Sequence, residues 1–178
     1  MARYLIAVLC IVACSAAQAD CFDRAAARFK LNADLLRAMA EQESGNREDA
    51  VGPLLADGNR ALGKLQVNTI HLPELAKYGV TREDLMTECG SVFTGAWIFA
   101  GYVRRVGYTW QAVGIYNTGP ASKNYAAQAR YIAGVRRRFE RLQRKRAVAA
   151  QQLVQQPVQQ QVQQPVQLAS NMAVWRSE

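Results

Sequence analysis

Between Cys21 and Leu142 the apolar residues of this chain recur three and four apart and seldom alternate one by one. That spacing belongs to amphipathic helices and leaves little room for a sheet. The reading is one mainly α domain over residues 20–146. A first helix is expected over Cys21–Phe29, with Asn32 as the N-cap of a second. Residues 46–60 contain Gly52-Pro53 and Asp57-Gly58-Asn59 and read as a loop. Thr81-Arg82-Glu83-Asp84 resembles a capping box with Asp in place of Glu. Ser91 is expected to open a longer helix that carries Val92, Ala96, Phe99, Val103 and Val106 and stops at Gly107. Thr109 is expected to cap a helix over 110–116. A last helix runs from about Ala121, with Tyr125, Ile132, Val135, Phe139 and Leu142 turned inward.

Both ends of the chain differ from this middle. Met1-Ala2-Arg3 is a short basic start, an apolar run follows from Tyr4 to Ala13, and Ala17-Gln18-Ala19 is an A-x-A cleavage site. This reads as a secretory signal peptide over residues 1–19, with the mature protein starting at Asp20 in the periplasm. A competing reading takes Ile11-Val12-Ala13-Cys14 as a lipobox that anchors the protein through a lipidated Cys14. Residues 147–178 are rich in Gln, Val and Pro and read as a disordered or extended tail. Val174-Trp175 could form a small docking element there.

Removal of the signal peptide discards Cys10 and Cys14 and leaves Cys21 and Cys89 in an oxidising compartment. Two cysteines allow one bridge, the alternative being two free buried thiols. The bridge would close a loop of roughly 70 residues, which the chain-entropy model values at about 4 kcal/mol.

The formal net charge is +8, and most of it lies in seven basic residues between positions 136 and 146. Such a run is a solvated helix face or a patch for an anion. For an exported chain an acidic envelope polymer, a membrane face or a partner fits better than nucleic acid. There is one histidine, His71, which argues against His-rich metal sites and His-based triads. In Thr69-Ile70-His71-Leu72-Pro73 it reads as a packing residue. Residues 58–65 nearly spell a P-loop, but Leu65 stands where a hydroxyl must hold magnesium.

Glu43 is the residue with chemistry to offer. On the wheel of the second helix, Leu35, Leu36, Met39 and Ala40 fall on one arc and Glu43 lands within it. Asp34, Arg37 and Glu41 fall on the opposite side. A desolvated carboxyl favours its neutral form, so its pKa rises and it can donate a proton near neutral pH. The alternative is a helix-end carboxylate curling out to water.

Three segments then line up: Glu43-Ser44-Gly45, Gly63-Lys64-Leu65-Gln66-Val67-Asn68 and Ala112-Val113-Gly114-Ile115-Tyr116-Asn117-Thr118-Gly119. In this order they resemble the E-S-G, G-L-M-Q-I and A-Y-N-x-G motifs of lytic transglycosylases of the soluble-lytic-transglycosylase (SLT) type. The resemblance spans roughly residues 21–135 and is closest to the small branch associated with secretion, conjugation and pilus systems. It implies a lysozyme-like, mainly helical fold acting as a monomer without metal or cofactor. The implied substrate is peptidoglycan glycan strands, cut at the β-1,4 bond between N-acetylmuramic acid and N-acetylglucosamine to leave a 1,6-anhydro end. Possible partners are components of an envelope-spanning machine.

An ordinary glycosidase needs two carboxyl groups. Here the sugar's own C6 hydroxyl would attack, so Glu43 alone could act as acid and then base. By carry-over, Ser44 would bond the carboxyl or an N-acetyl group and Gln66 would bind sugar. Tyr116 would stack near the cut or place its hydroxyl beside Glu43, and Asn117 would contact sugar or fix the turn before Gly119. Lys64 stands where the family has an apolar residue, and is expected to point outward or toward an acidic stem peptide. Ile115 replaces Ala and is expected to narrow the site beside Tyr116. Two other functions compete: a lysozyme-type hydrolase with Asp49 or Asp57 activating water, and a non-catalytic peptidoglycan-binding scaffold.

Overall fold

A computed structural model describes residues 19–173, with side chains placed through residue 154. The expected signal peptide up to residue 18, Cys10, Cys14 and Val174-Trp175 lie outside the described residues. Six α-helices and one small hairpin make up the described chain: α1 (Cys21–Phe29), α2 (Ala33–Ser44), β1 (Ala61–Leu62), β2 (Val67–Asn68), α3 (Leu72–Leu75), α4 (Glu88–Val106), α5 (Trp110–Thr118) and α6 (Tyr125–Ala173). Single 3-10 turns at Thr69–His71, Ala76–Tyr78 and Asp84–Met86 join the middle of the chain. The fold is the mainly helical, lysozyme-like one that the motifs imply.

The helix starts follow local capping. Asp20 accepts from the Asp23 N–H at 2.9 Å to open α1. Asn32 Oδ1 accepts from the N–H groups of Asp34 and Leu35 to open α2. The Thr81–Asp84 box forms, with Asp84 Oδ2 accepting from the Thr81 N–H at 2.8 Å, but opens only the 3-10 turn. The long helix begins earlier than expected from Ser91, because Thr87 caps it at Gly90. Ser91 is fully buried, and its hydroxyl accepts from the Leu65 N–H at 3.0 Å. Thr109 occupies the N-cap position of α5 without a side-chain cap bond. The last helix starts at Tyr125, later than the expected 121, because Asn124 accepts from the Ala127 N–H. Tyr125 is therefore a first-turn residue, 70% exposed and not inward-facing.

The main core gathers Leu36 and Met39 of α2, Phe99 of α4, Val113 of α5 and Val135 of α6, all essentially fully buried. Each such side chain is stabilising by about 1.5–3 kcal/mol relative to exposure. A smaller core of Leu62, Val67, Leu75, Leu85 and Ile98 lies beneath the hairpin. Cys21 and Cys89 are bonded, with Cα atoms 5.1 Å apart, and join the starts of α1 and α4.

The wheel of α2 sets Asp34 and Glu41 toward solvent, but α1 and α6 cover that face. Asp34 is only 4% exposed. It accepts from Gln143 Nε2 at 2.8 Å and pairs with Arg37 at 3.2 Å and Arg146 at 2.7 Å. Glu41 pairs with Arg141 and Arg138. Part of the basic run at 136–146 is thus neither a free solvated face nor a free anion patch, since its inner arginines neutralise α2. Helix α6 continues through the Gln-rich stretch set apart as a tail, but beyond the Arg146–Asp34 pair its side chains are exposed through Val154. Pro157 and Pro165 each remove a backbone donor from that distal stretch.

Candidate active site

Glu43 occupies the last turn of α2, one turn beyond buried Met39. The chain leaves the helix at once because Gly45 and Asn46 both take left-handed conformations, with φ of 65° and 68°. The Gly45 and Asn46 N–H groups close the end by donating to the carbonyls of Glu41 and Ala40. This leaves the Glu43 carboxyl half-buried against α6, where Tyr131 Oη donates to Glu43 Oε1 at 2.6 Å. Burial pushes the carboxyl up to about 7, and the Tyr131 bond opposes part of that rise by favouring the charged form. Burial and the nearby Glu43 charge hold the Tyr131 phenol well above its ordinary range, so it remains a donor.

The second motif forms a tight connection between β1 and β2. Leu65 is fully buried, and its backbone is held from both sides. Its N–H donates to Ser91 Oγ at 3.0 Å, and its carbonyl accepts from Tyr116 Oη at 2.8 Å. Gly95 of α4 makes room for this meeting: a Cβ there would lie 2.6 Å from Leu65 Cβ and 2.8 Å from Tyr116 Oη. Gln66 has φ of +45°, a left-handed conformation strained for a non-glycine residue. Its Nε2 holds the turn by donating to the carbonyls of Ala50 at 3.1 Å and Gly63 at 2.9 Å.

Two hydrogen bonds stitch the three motifs together. Ser44 Oγ donates to the Lys64 carbonyl at 2.9 Å, linking the first to the second. Tyr116 Oη, on the Leu65 carbonyl, links the second to the third. The three segments that align in sequence therefore form one structure around Glu43, and the Glu43 charge acts on the buried Tyr116 phenol.

Ser44 and Tyr116 make hydrogen bonds other than those expected of them. The Ser44 hydroxyl also accepts from the Arg47 N–H at 3.1 Å, so it clamps the turn and does not bond the Glu43 carboxyl. Tyr116 bonds backbone, and Tyr131 takes the place beside Glu43. Nothing in the three motifs marks Tyr131. The available signal is its position four residues before Val135, which puts a phenol on the buried face of α6. Gln66 has its amide nitrogen engaged in the turn, and Asn117 is exposed near the end of α5. Ile115 is buried. Lys64 neither points outward nor is free for a stem peptide. It is 9% exposed, lies 5.9 Å from the centre of the Phe22 ring, and places Nζ 2.7 Å from Glu88 Oε1. Its apolar stem fills an apolar position, and Glu88 answers the charge.

Neither aspartate weighed as a water-activating base is placed like Glu43. Asp49 is exposed. Asp57 is exposed and accepts from the Asn59 N–H at 3.0 Å, a bond that holds its carboxyl below the usual range. Among the described residues, Glu43 is the one desolvated acid without an ion-pair partner at the meeting of the three motifs.

A family model for the transglycosylase SLT domain matches residues 20–138. Invasion protein IagB of Salmonella typhimurium is 34% identical over 143 residues, which cover 80% of this chain and 89% of that protein. Protein IpgF of Shigella flexneri is 32% identical over 143 residues, covering 80% of this chain and 93% of its own. Among solved structures, an inactive mutant of the lytic transglycosylase Slt from Pseudomonas aeruginosa matches with a TM-score of 0.54 at 19% identity. That match covers 66% of this chain but only 22% of the Slt chain, and at this identity it speaks for the fold alone.

Proposed function

This chain belongs to the transglycosylase SLT domain family and is a peptidoglycan lytic transglycosylase, and from that premise we propose that Glu43 cuts the β-1,4 bond between N-acetylmuramic acid and N-acetylglucosamine without water. In the first step protonated Glu43 gives its proton to the glycosidic oxygen as the C1–O4 bond breaks. In the second, the C6 hydroxyl of the same muramic sugar adds to C1 and its proton passes to the Glu43 carboxylate. The acid is regenerated, and the products are a free 4-hydroxyl and a 1,6-anhydro end.

One observation carries this reading: a single carboxyl, pushed up to about 7 by burial, is held by a tyrosine at the meeting point of the three motifs. A group with that pKa is populated in both forms near neutral pH, as a residue that alternates between acid and base requires. With Oε1 engaged by Tyr131, Oε2 is left to carry the proton. Asn117, exposed beside the third motif's turn, is assigned to sugar binding, as is the Gln66 side chain through its amide oxygen. The exposed positions of Asp49 and Asp57 weigh against an enzyme-held water.

The site of action is assigned to the periplasm, on the basic start, apolar run and Ala17-Gln18-Ala19 of the sequence and on the Cys21–Cys89 disulfide. Relatives aligned over four-fifths of the chain include one named as an invasion protein. That name supports local opening of the wall for an envelope-spanning secretion, conjugation or pilus machine.

The test is digestion of purified sacculi by the wild type and Glu43→Gln, with mass analysis of the released muropeptides. Wild type should release 1,6-anhydro ends and the variant none. Reducing muramic ends from the wild type would replace this reading with hydrolysis.

A further inference from the structure

Apart from the Glu43 cluster, the fold holds a concavity of about 310 Å³. Its floor is one face of α4, where Trp97, Tyr102, Arg104 and Arg105 converge. Its other walls are His71 and Pro120. His71 ends the turn that follows the second motif, and Pro120 directly follows Gly119 of the third. Two walls of the concavity therefore come from the segments that directly follow the second and third motifs. Tyr102 joins the two, since its ring packs edge-on against Tyr116 with centroids 6.5 Å apart.

Several arginines of the fold are neutralised internally. Arg37, Arg138, Arg141 and Arg146 all pair with carboxylates of α1 or α2. Arg104 and Arg105 are exposed, and neither pairs with a carboxylate among the described residues. Burial lowers the His71 pKa, so the third basic side chain is a neutral hydrogen-bonding group.

We propose that this concavity is a specificity site for the peptide stem of the substrate: Arg104 and Arg105 bind its free carboxylates while Trp97 and Tyr102 pack on its aliphatic part. The proposal rests on the reading of this chain as an enzyme of peptidoglycan. In an intact strand the sugars are uncharged, because the muramic lactyl group is tied up in an amide, and the carboxylates lie on the stem. Two guanidiniums without carboxylate partners, beside the segments that follow the second and third motifs, therefore match the peptide and not the sugars. Lys64, a cation within the second motif, is engaged with Glu88.

The test compares intact sacculi with sacculi whose stem carboxylates have been converted to carboxamides by carbodiimide and ammonia. Binding is measured by co-sedimentation using the full chain with Glu43→Gln, which removes turnover. This protein should bind intact sacculi about tenfold more tightly than amidated ones, the order expected of two partly exposed charge-assisted contacts. Adding Arg104→Gln and Arg105→Gln should abolish that discrimination and leave binding to amidated sacculi unchanged. Adding Arg144→Gln and Lys145→Gln removes equal charge from exposed positions of α6 and should leave the discrimination intact. Equal binding to both sacculi overturns the proposal, as does discrimination that survives loss of both α4 arginines or is lost equally with the α6 pair. If the wild type makes no anhydro ends, the catalytic reading fails, while the binding comparison still decides this one.

Discussion

Tyr131 Oη lies 2.6 Å from Glu43 Oε1, a contact between residues 88 apart in sequence that joins the end of α2 to the buried face of α6. It is a donor to a carboxyl that burial has already made reluctant to ionise. The two effects oppose each other, and burial is the larger. Tyr131 thereby moderates the acid and fixes which of its oxygens is free.

Replacing Tyr131 with Phe removes a bond that favours the charged form, so the Glu43 pKa should rise further above about 7. If protonated Glu43 is the acid, the alkaline limb of the rate profile should move up by about one unit, the value of a hydrogen bond to a charged group. The rate at pH 6 should fall about tenfold because the carboxyl loses its fixed orientation. A pH–rate profile on sacculi checks both, and an alkaline limb moving downward would refute the role given to Tyr131.

Glu43→Gln should lose activity by about a thousandfold, the scale of a general acid, and gain stability at alkaline pH. An unfolded glutamate titrates near the model value of 4.5, whereas Glu43 in the fold is pushed up to about 7. Below the lower value both states are protonated and the residue contributes no pH dependence. Between the two the unfolded state binds fewer protons, so stability falls as pH rises. Above the higher value the full penalty is present, at most about 3 kcal/mol. Glutamine avoids it, so thermal melts should coincide near pH 4 and favour the variant by several degrees at pH 8.

Ser44→Ala tests whether the middle residue of the first motif serves substrate or backbone. Its hydroxyl bonds the Lys64 carbonyl and the Arg47 N–H. Loss of these contacts should lower stability by about 1 kcal/mol and reduce kcat through misplacement of Glu43, with KM nearly unchanged. A raised KM at unchanged melting temperature would instead return Ser44 to the substrate.

Glu43 and the succession of helices were legible because each depends on local spacing. The wheel of α2 already places Glu43 with Leu36 and Met39, and Asn32 caps that helix as its residue type suggests. What sequence could not show is which partner satisfies a polar group. Ser44, Gln66 and Tyr116 read as substrate ligands because their motifs surround a catalytic acid, yet each has a hydrogen bond to backbone, within a turn or from a helix to the β1–β2 connection. Tyr131 was missed for the same reason: its importance lies in a contact with a distant helix, not in a motif. Asp34 shows the limit of a helix wheel, since the wheel gives a direction but not whether α6 covers it.

Lys64 and Glu88 offer a clean test of how a departure from a motif is accommodated. Lys64 is buried, while the Glu88 side chain is 45% exposed. Removing the exposed partner strands a buried cation, so Glu88→Gln should destabilise by about 2–3 kcal/mol. Removing the buried partner leaves Glu88 able to turn to water, so Lys64→Leu should be neutral or stabilising. In the double variant the Glu88→Gln penalty should largely disappear, giving a coupling of the same order in a double-mutant cycle. Urea titrations of the four proteins measure it. Additive effects would mean that the Lys64 ammonium is held over the Phe22 ring and not by the charge pair.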